Sequence, residues 1–132
     1  MIYILYVEDD APSRQVLALI ERIKPEFMKI TFFSDSVDFE NRLLNLKPQP
    51  DLILLDIHIK PYSGFEMLKI IRKHAACDAT PVVALTASVM NEEIQTLRDA
   101  GFFGVIGKPI NIEEFPILIN RIMDGEQVWH VW

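Results

Sequence analysis

The stretch Asp51-Leu52-Ile53-Leu54-Leu55-Asp56 decides the fold, because it is a short apolar run that ends abruptly in a carboxylate. A continuous apolar run of this length, bounded by polar residues, is typical of a strand buried on both faces of a parallel sheet. Ligands bind to open α/β sheets at the carboxyl ends of their strands. The stretch therefore predicts a buried strand that places Asp56 at a potential binding edge.

Three further apolar runs end in polar side chains in the same way. Residues 2–7 lead to Glu8, Asp9 and Asp10, residues 82–85 lead to Thr86, and a short run at Val105-Ile106 leads to Lys108. Because the carboxyl ends of parallel strands meet at one edge of a sheet, we expect these polar side chains to lie together.

The segments between the apolar runs have helical spacing. After the first run, one helical face is formed by Val16, Leu19, Ile20 and Ile23, at i, i+3, i+4 and i+7. A second helix is predicted from a cap at residues 34–36 to about Asn45, and its core-facing residues would be Val37, Phe39, Leu43 and Leu44. Strands that alternate with helices predict an α/β fold, here with five strands and five helices.

The composition indicates one domain. Of the 132 residues, we expect residues 1–124 to form the domain and residues 125–132 a short tail without an output domain. The net charge of −6 disfavours direct binding to nucleic acid. No stretch approaches the roughly 18 consecutive apolar residues of a membrane span, and no basic leader is visible. We therefore expect a soluble cytoplasmic protein that does not bind membranes.

Glu8, Asp9 and Asp56 are predicted to form an acidic cluster. Two carboxylates about 4 Å apart repel each other by about 4 kcal/mol at an effective dielectric constant of about 20. A hard divalent cation such as Mg²⁺ relieves this repulsion and neutralises charge on a phosphoryl group, which Lys108 and Thr86 would also contact. The alternative is that Asp9, Asp10 and Asp56 cap helices or begin turns, which is the commoner role for any one of them taken singly.

Four motifs in order resemble the response regulator receiver domain of two-component signalling. They are Val7-Glu8-Asp9-Asp10, Leu54-Leu55-Asp56 followed eight residues later by Gly64, Ala84-Leu85-Thr86-Ala87, and Gly107-Lys108-Pro109. Each motif alone is weak, but the four in order are specific, and the resemblance covers essentially residues 2–124. It implies a flavodoxin-like, doubly wound α/β fold whose five parallel strands have the order 2-1-3-4-5.

The resemblance also implies a role for each site residue. Asp56 would accept a phosphoryl group from a phosphohistidine of a sensor histidine kinase or phosphotransfer protein, and the domain would assist this reaction without being an enzyme. The implied ligands of Mg²⁺ (or Mn²⁺) are Asp9, Asp56, the backbone carbonyl of Ile57 and, through water, Glu8. The implied phosphate-binding residues are Thr86, Ala87 and Lys108, and the Lys108–Pro109 bond would be cis.

Three other positions bear on regulation. The family usually carries Tyr or Phe three residues before the site lysine, whereas this chain has Val105, so the predicted switch pair is Thr86 and Val105. His58 and Ser88 each lie two residues after a site residue, where side chains influence water access, and we expect them to tune dephosphorylation. The alternative for His58 is an ordinary exposed loop residue.

The C-terminal region is predicted to carry a partner surface. Ile117 lies nearly opposite the core face of the fifth helix and Leu118 lies on its flank. In receivers the helix 4–strand 5–helix 5 face is the usual output and dimer face, so a homodimer through this face is predicted. Trp129 and Trp132 are expected to pack back on the domain or against another chain.

These observations favour a single-domain response regulator that signals to an unknown downstream protein by contact. A first alternative, which Val105 leaves open, is a receiver-like interaction module that takes no phosphate. A less favoured alternative is an aspartyl-phosphate phosphatase of the haloacid dehalogenase type, which would need a second acid where His58 stands. A flavodoxin-type cofactor binder is disfavoured because Glu8-Asp9-Asp10 would repel its phosphate.

Overall fold

Six parallel strands form one sheet in the computed structural model, which describes residues 1–87 and 90–130. The strands are β1 (Ile2–Val7), β2 (Met28–Phe33), β3 (Leu52–Asp56), β4 (Val82–Thr86), β5 (Gly104–Gly107) and β6 (Trp129–His130). Their order in the sheet is β2-β1-β3-β4-β5-β6. The first five strands confirm the predicted order, and β6 extends the sheet by a strand that was not predicted.

Five α-helices cover the two faces of the sheet within the described residues. They are α1 (Ala11–Ile23), α2 (Phe39–Leu44), α3 (Gly64–Arg72), α4 (Asn91–Ala100) and α5 (Phe115–Met123), with a 3₁₀ turn at Ala75–Cys77. The buried residues of α1 and α5 belong to one core cluster, and those of α2, α3 and α4 belong to the other. None of the helices described here is long and apolar enough to cross a bilayer.

The strand β3 is buried along its whole length, as its apolar run predicts. Ile53 and Leu55 pack into one core cluster, while Leu52 and Leu54 pack into the other. Alternate residues of a strand point to opposite faces, so a continuous apolar run suits a strand with helices on both sides. Asp56 ends this strand at the carboxyl edge, the name used below for the carboxyl ends of β1, β3, β4 and β5.

The helix α1 buries only part of the predicted face, since Ile20 is buried and Val16 packs against the same core cluster. Leu19 and Ile23 are 36% and 58% exposed, whereas Leu17 and Ile20 are buried. More than one stripe of α1 satisfies the i, i+3, i+4 spacing, and packing against the sheet selects among them. Asp10 accepts hydrogen bonds at the N-terminus of α1, so for this one acid the alternative role of helix cap is the observed one.

The helix α2 begins later than predicted, at Phe39. Asp38 precedes it with a left-handed backbone (φ 51°) and makes no side-chain cap. Ser36, one of the predicted caps, is buried and bonds instead to the loop after β3. Its hydroxyl donates to the Tyr62 carbonyl at 2.8 Å and accepts from the Tyr62 N–H at 2.7 Å. Ser36 therefore makes a tertiary contact instead of capping the helix.

The later start of α2 also changes its core face. Phe39 and Leu43, four residues apart, are fully buried, whereas Val37 and Leu44 are 55% and 44% exposed. The prediction that Val37 and Leu44 face the core is therefore wrong, because Val37 precedes the helix and Leu44 lies beside its buried stripe.

The helix α5 exposes one of the two predicted partner-surface residues and buries the other. Ile117 is 59% exposed, whereas Leu118 is 2% exposed and packs in the core. The prediction of Leu118 as a surface residue is wrong, because the buried stripe of α5 is wide enough to include it. Ile117 remains available on the surface.

The C-terminal tail packs back on the domain, which is one of the two predicted outcomes for Trp129. Val105 pairs with Trp129 in the parallel register of β5 and β6, and the Val105 N–H donates to the Val128 carbonyl at 2.8 Å. Trp132 lies outside the described residues. The described part of the tail therefore continues the sheet.

Candidate functional site

Three carboxylates from two neighbouring strands converge at the carboxyl edge. Glu8 and Asp9 follow β1, Asp56 ends β3, and one carboxylate oxygen of each lies within 4.8 Å of those of the others. The parallel register of β1 and β3 pairs Val7 with Leu55, which brings the next residues of both strands level. Glu8 and Asp56 are buried and Asp9 is exposed, so the cluster opens to solvent on the Asp9 side.

Lys108 places a cation against this cluster. Its Nζ lies 2.8 Å from Glu8 Oε1 and 3.6 Å from Asp56 Oδ1. Its backbone N–H donates to the Thr86 carbonyl at 2.9 Å, which fixes the end of β5 beside the end of β4. The Lys108–Pro109 bond is cis, as the resemblance implies.

Glu8 is held by two residues that the sequence reasoning missed. The Tyr6 hydroxyl donates to Glu8 Oε1 at 2.7 Å, and Arg14 Nη1 donates to the Glu8 carbonyl at 2.8 Å. Tyr6 lies two residues before Glu8 in β1, and residues two apart in a strand share a face. A tyrosine inside an apolar run two residues before a site acid was therefore a usable signal.

The pKa values of the two buried carboxyls move in opposite directions. Burial, followed by a hydrogen bond to Glu8 and repulsion from it, raises the pKa of Asp56 to about 7, although Lys108 opposes the shift. Burial also acts to raise the pKa of Glu8, but hydrogen bonds with Asp56, Lys108 and Tyr6 outweigh it and hold this pKa below its ordinary value. Without a metal, Asp56 is therefore only partly ionised near neutral pH, while Glu8 is the charged partner of Lys108.

The loop after β3 runs close to Asp56. A Cβ atom at Gly64 would lie 2.8 Å from Ile57 Cδ1 and 3.0 Å from the Asp56 carbonyl oxygen, so any other residue there would force these neighbours to shift. The Gly64 N–H donates to the Ile57 carbonyl at 3.1 Å. A carbonyl oxygen has two lone pairs, so the Ile57 carbonyl retains acceptor capacity for a metal ion.

The other predicted site residues have different surroundings. His58 is exposed, its backbone N–H lies 3.3 Å from Asp56 Oδ1, and it lines a cavity of about 180 Å³ together with Thr86. Thr86 is buried at the end of β4, and Ala87 follows it on the exposed side. Val105 is fully buried in the core. Ser88 lies outside the described residues.

The donor set of the cluster fits a hard divalent cation. Carboxylate and carbonyl oxygens are the ligands that Mg²⁺ prefers, and Mg²⁺ commonly retains several waters. Glu8, Asp9, Asp56 and the Ile57 carbonyl offer only oxygen donors, and the exposed Asp9 leaves room for water. Burial and repulsion between the carboxylates disfavour their negative charge, and a bound divalent cation would stabilise that charge.

The sheet order and the helices on both of its faces define a flavodoxin-like α/β domain with an acidic edge, and comparison with known proteins identifies its family. The sequence model of the response regulator receiver domain matches residues 4–120, and the chain belongs to this family. Receiver domains interact with histidine kinases or phosphotransfer proteins, and they are generally not classed as enzymes.

Two curated relatives illustrate the match. The phosphate regulon transcriptional regulatory protein PhoB of Klebsiella pneumoniae is 31% identical over 121 residues, which cover 91% of this chain and 51% of that protein. The sensor histidine kinase AruS of Pseudomonas aeruginosa is 33% identical over 122 residues, covering 90% of this chain and 12% of that protein. The chain thus spans about half the length of PhoB and a small part of AruS.

Solved structures show the same fold. The chemotaxis response regulator CheY4 of Vibrio cholerae superimposes with a TM-score of 0.80 at 23% identity, covering 92% of this chain and 98% of that one. The receiver domain of the sensor histidine kinase PA1611 of Pseudomonas aeruginosa, solved with a magnesium ion coordinated in its active site cleft, gives 0.79 at 22% identity, covering 93% and 98%. At these identities the likeness establishes the fold alone.

Proposed function

We propose that Asp56 is the phosphoacceptor of a response regulator, and that its phosphorylated state signals by protein contact. The observation that carries this proposal is the meeting of three carboxylates within 4.8 Å with the Lys108 ammonium 3.6 Å from Asp56. An acidic cluster with a cation beside one buried carboxylate is suited to phosphoryl transfer, in which catalysis is mainly positioning and charge stabilisation.

The residues divide the work as follows. Asp9, Asp56, the Ile57 carbonyl and, through water, Glu8 hold Mg²⁺ or Mn²⁺, which when bound neutralises charge on the phosphoryl group. A carboxylate oxygen of Asp56 attacks phosphorus as the P–N bond of the donor phosphohistidine breaks. The imidazole leaves with the bonding electron pair, and an acyl phosphate remains on Asp56.

Lys108 and Thr86 then bind the new group. Phosphorylation adds about two negative charges at Asp56. The Lys108 ammonium lies 2.8 Å from Glu8 and 3.6 Å from Asp56, so it can contact both Glu8 and the phosphoryl group on Asp56. Thr86 ends the neighbouring strand at the same edge, and we assign its hydroxyl and the backbone N–H of Ala87 as donors to the phosphoryl group. The response to phosphorylation therefore centres on the ends of β4 and β5.

Two features of the site bear on regulation. His58 is exposed at the mouth of the cavity that Thr86 lines, so we assign to it, and to Ser88, control of water access and acyl-phosphate lifetime. Val105 is a fully buried aliphatic residue, which cannot swing between two positions as an aromatic ring does. Thr86 is thus the moving member of the predicted pair.

The signal leaves through protein contact in the cytoplasm. The phosphoryl donor is a sensor histidine kinase or a phosphotransfer protein. The protein that responds to the phosphorylated state is a downstream protein or a second copy of the chain. The exposed Ile117 on α5 is the candidate contact residue. The buried Val105 favours one alternative, an interaction module without a phosphorylation switch.

The deciding experiment is phosphorylation from a small donor. The full chain is incubated with Mg²⁺ and a low-molecular-weight phosphodonor, and intact mass is followed over time. We expect one phosphoryl group to be incorporated, and none in Asp56→Asn. Asp51→Asn, immediately before the opposite end of β3, is the matched control and retains phosphorylation. A wild-type chain that gains no phosphoryl group would leave the interaction-module alternative standing.

A further inference from the structure

Glu8 Oε1 accepts hydrogen bonds from two donors of different charge. The Tyr6 hydroxyl donates to it at 2.7 Å, and the Lys108 ammonium donates to it at 2.8 Å. The other carboxylate oxygen, Oε2, has a donor of its own, the Asp10 N–H at 3.4 Å. The negative charge on Oε1 is therefore stabilised by a neutral donor from β1 and by a cation that follows β5.

The Tyr6 donor is fixed in place. Tyr6 is fully buried in the core cluster of α1 and α5, where its ring packs at a tilt against Phe32 with ring centroids 6.1 Å apart. A phenylalanine would fill nearly the same space, so the hydroxyl is what distinguishes this side chain from an ordinary core aromatic. A buried tyrosine hydroxyl usually has a hydrogen-bond partner, and here that partner is an acid of the site.

The Lys108 donor, in contrast, is carried on a flexible stem. Its Nζ lies 2.8 Å from Glu8 Oε1 and 3.6 Å from Asp56 Oδ1, so it bonds to Glu8 and only approaches Asp56. A lysine ammonium is a compact charge with three donors that can turn toward a new anion. A phosphoryl group on Asp56, with about two negative charges, would compete with Glu8 for this ammonium.

Movement of Lys108 toward a phosphoryl group has a cost at Glu8. Glu8 is fully buried, and a buried carboxylate oxygen that loses its donor is strongly disfavoured. The Tyr6 hydroxyl offsets this cost, because it stays on Oε1 as the ammonium turns away. It also shares the negative charge of that oxygen, which weakens the hold of Glu8 on Lys108 beforehand.

We propose that Tyr6 is a positioning residue that eases the transfer of Lys108 from Glu8 to the phosphoryl group. This inference rests on the proposed phosphoacceptor role of Asp56. Because Tyr6 is fully buried, it acts through Glu8 and Lys108 rather than by contact with the incoming group. Its effect on phosphorylation should therefore disappear when Lys108 is absent, since residues in one hydrogen-bond network are energetically coupled.

A double-mutant cycle at saturating Mg²⁺ tests this coupling. The rate of mass increase with a small phosphodonor is measured for the full chain, Tyr6→Phe, Lys108→Gln and the double variant. We expect Tyr6→Phe to be phosphorylated about tenfold more slowly than the wild type, as for the loss of one hydrogen bond to a charged group. In the Lys108→Gln background, the same substitution should change the rate by less than about twofold. Tyr3→Phe, in the same strand, is the matched control and keeps the wild-type rate.

A second measurement tests the sharing of Oε1 without phosphorylation. In Mg²⁺-free protein with no phosphodonor, the exchange of the Lys108 ammonium protons with water is followed by NMR spectroscopy. We expect exchange to be slower in Tyr6→Phe by at least about twofold, because Lys108 no longer shares Oε1 with the hydroxyl and bonds to it more strongly. Unchanged or faster exchange would overturn the sharing of Oε1.

The two measurements separate this inference from the proposed function. If the wild-type chain gains no phosphoryl group, the proposed function fails, and the exchange rates alone decide whether Tyr6 loosens the hold of Glu8 on Lys108. If the wild type and Tyr6→Phe are phosphorylated at equal rates, the positioning role is overturned while the phosphoacceptor role stands. The same slowing in both backgrounds, with a lower urea midpoint, would identify Tyr6 as a structural residue only.

Discussion

The Tyr6 hydroxyl and the Lys108 ammonium donate to the same oxygen, Glu8 Oε1, at 2.7 and 2.8 Å. Glu8 is fully buried, so these two donors replace the water that a carboxylate would otherwise bind. Hydrogen bonds to the charged form stabilise it, and the pKa of Glu8 lies below its ordinary value despite burial. The position of Lys108 relative to Asp56 therefore depends partly on a tyrosine beneath the site.

Tyr6→Phe removes one of these donors while conserving the ring. Because groups that orient the residues around a metal typically contribute about 10-fold or more to its affinity, we expect Mg²⁺ to bind roughly tenfold more weakly. Calorimetric titration with Mg²⁺ measures this effect. Tyr3→Phe, in the same strand but away from the acidic cluster, is the control and should bind Mg²⁺ as the wild type does. Unchanged affinity in Tyr6→Phe would show that Lys108 alone positions Glu8.

The raised pKa of Asp56 predicts a pH-dependent stability. The folded chain holds this proton up to about pH 7, whereas the unfolded chain releases it near its ordinary value of about 4. Between these values the folded state binds more protons, so ionisation destabilises it progressively as pH rises. The cost, at its upper limit, is about 4 kcal/mol for a shift of about three units.

Asp56→Asn removes this ionisation. In Mg²⁺-free buffer we expect the variant to be more stable than the wild type at pH 8 and closer to it at pH 4, by urea denaturation. Saturating Mg²⁺ should stabilise the wild type more than the variant, because the ion favours the charged carboxylate. A stability difference that does not change with pH would contradict the raised pKa.

Lys108→Gln should slow phosphorylation with little change in fold. The substitution removes the only ammonium within 4.0 Å of Asp56 among the described residues, and loss of one preorganised charge-stabilising group typically costs about 10²-fold in rate. The rate of mass increase with a small phosphodonor measures the loss. Lys69→Gln, an exposed lysine on α3, removes the same charge elsewhere. An equal rate in both variants would remove Lys108 from the mechanism.

Gly64→Ala should affect both stability and metal binding. The added Cβ meets Ile57 Cδ1 at 2.8 Å and backbone atoms at 3.0 Å, and overpacking of this kind costs about 1–3 kcal/mol. Because the Gly64 N–H bonds to the Ile57 carbonyl, displacement of the loop should also weaken Mg²⁺ binding. Gly101→Ala has open space but a φ of 101°, so it should cost stability without changing Mg²⁺ affinity.

Ile117→Asp and Leu118→Asp place the same charge on adjacent residues of α5, one on the surface and one in the core. Ile117 is 59% exposed, so we expect its replacement to change the free energy of unfolding by no more than about 0.5 kcal/mol. Leu118 is 2% exposed, and a buried unpaired charge there should unfold the domain. If α5 is a partner surface, sedimentation of the phosphorylated protein will show weaker self-association in Ile117→Asp. Self-association that is equal to wild type would exclude Ile117 from a dimer contact.

The central strands and the acidic site were predictable because their signals are local. The apolar run of β3 specifies burial on both faces, and the residue that ends it is then placed by the direction of the strand. The wrong predictions concern helices: the start and cap of α2, and the faces that α1, α2 and α5 bury. Leu19, Leu44 and Leu118 were assigned by spacing, but several stripes on a helix satisfy the same spacing, and the sheet decides among them.

Tertiary pairing accounts for what sequence reasoning could not supply. Ser36 has the chemistry of a helix cap, and only the folded chain shows that the loop after β3 offers it a better partner. The pairing of Trp129 with Val105 likewise joins segments whose pattern gives no strand signal, because a two-residue strand is too short to alternate.

The paired hydrogen bonds between Ser36 and Tyr62 have an entropic consequence for the site. They tie the loop after β3 to the loop after β2, so the segment that carries the Ile57 carbonyl and His58 is ordered as the chain folds. A loop that is already fixed loses little further conformational freedom when a ligand arrives. The proposed metal binding and phosphorylation at Asp56 would therefore start from a loop that is already ordered.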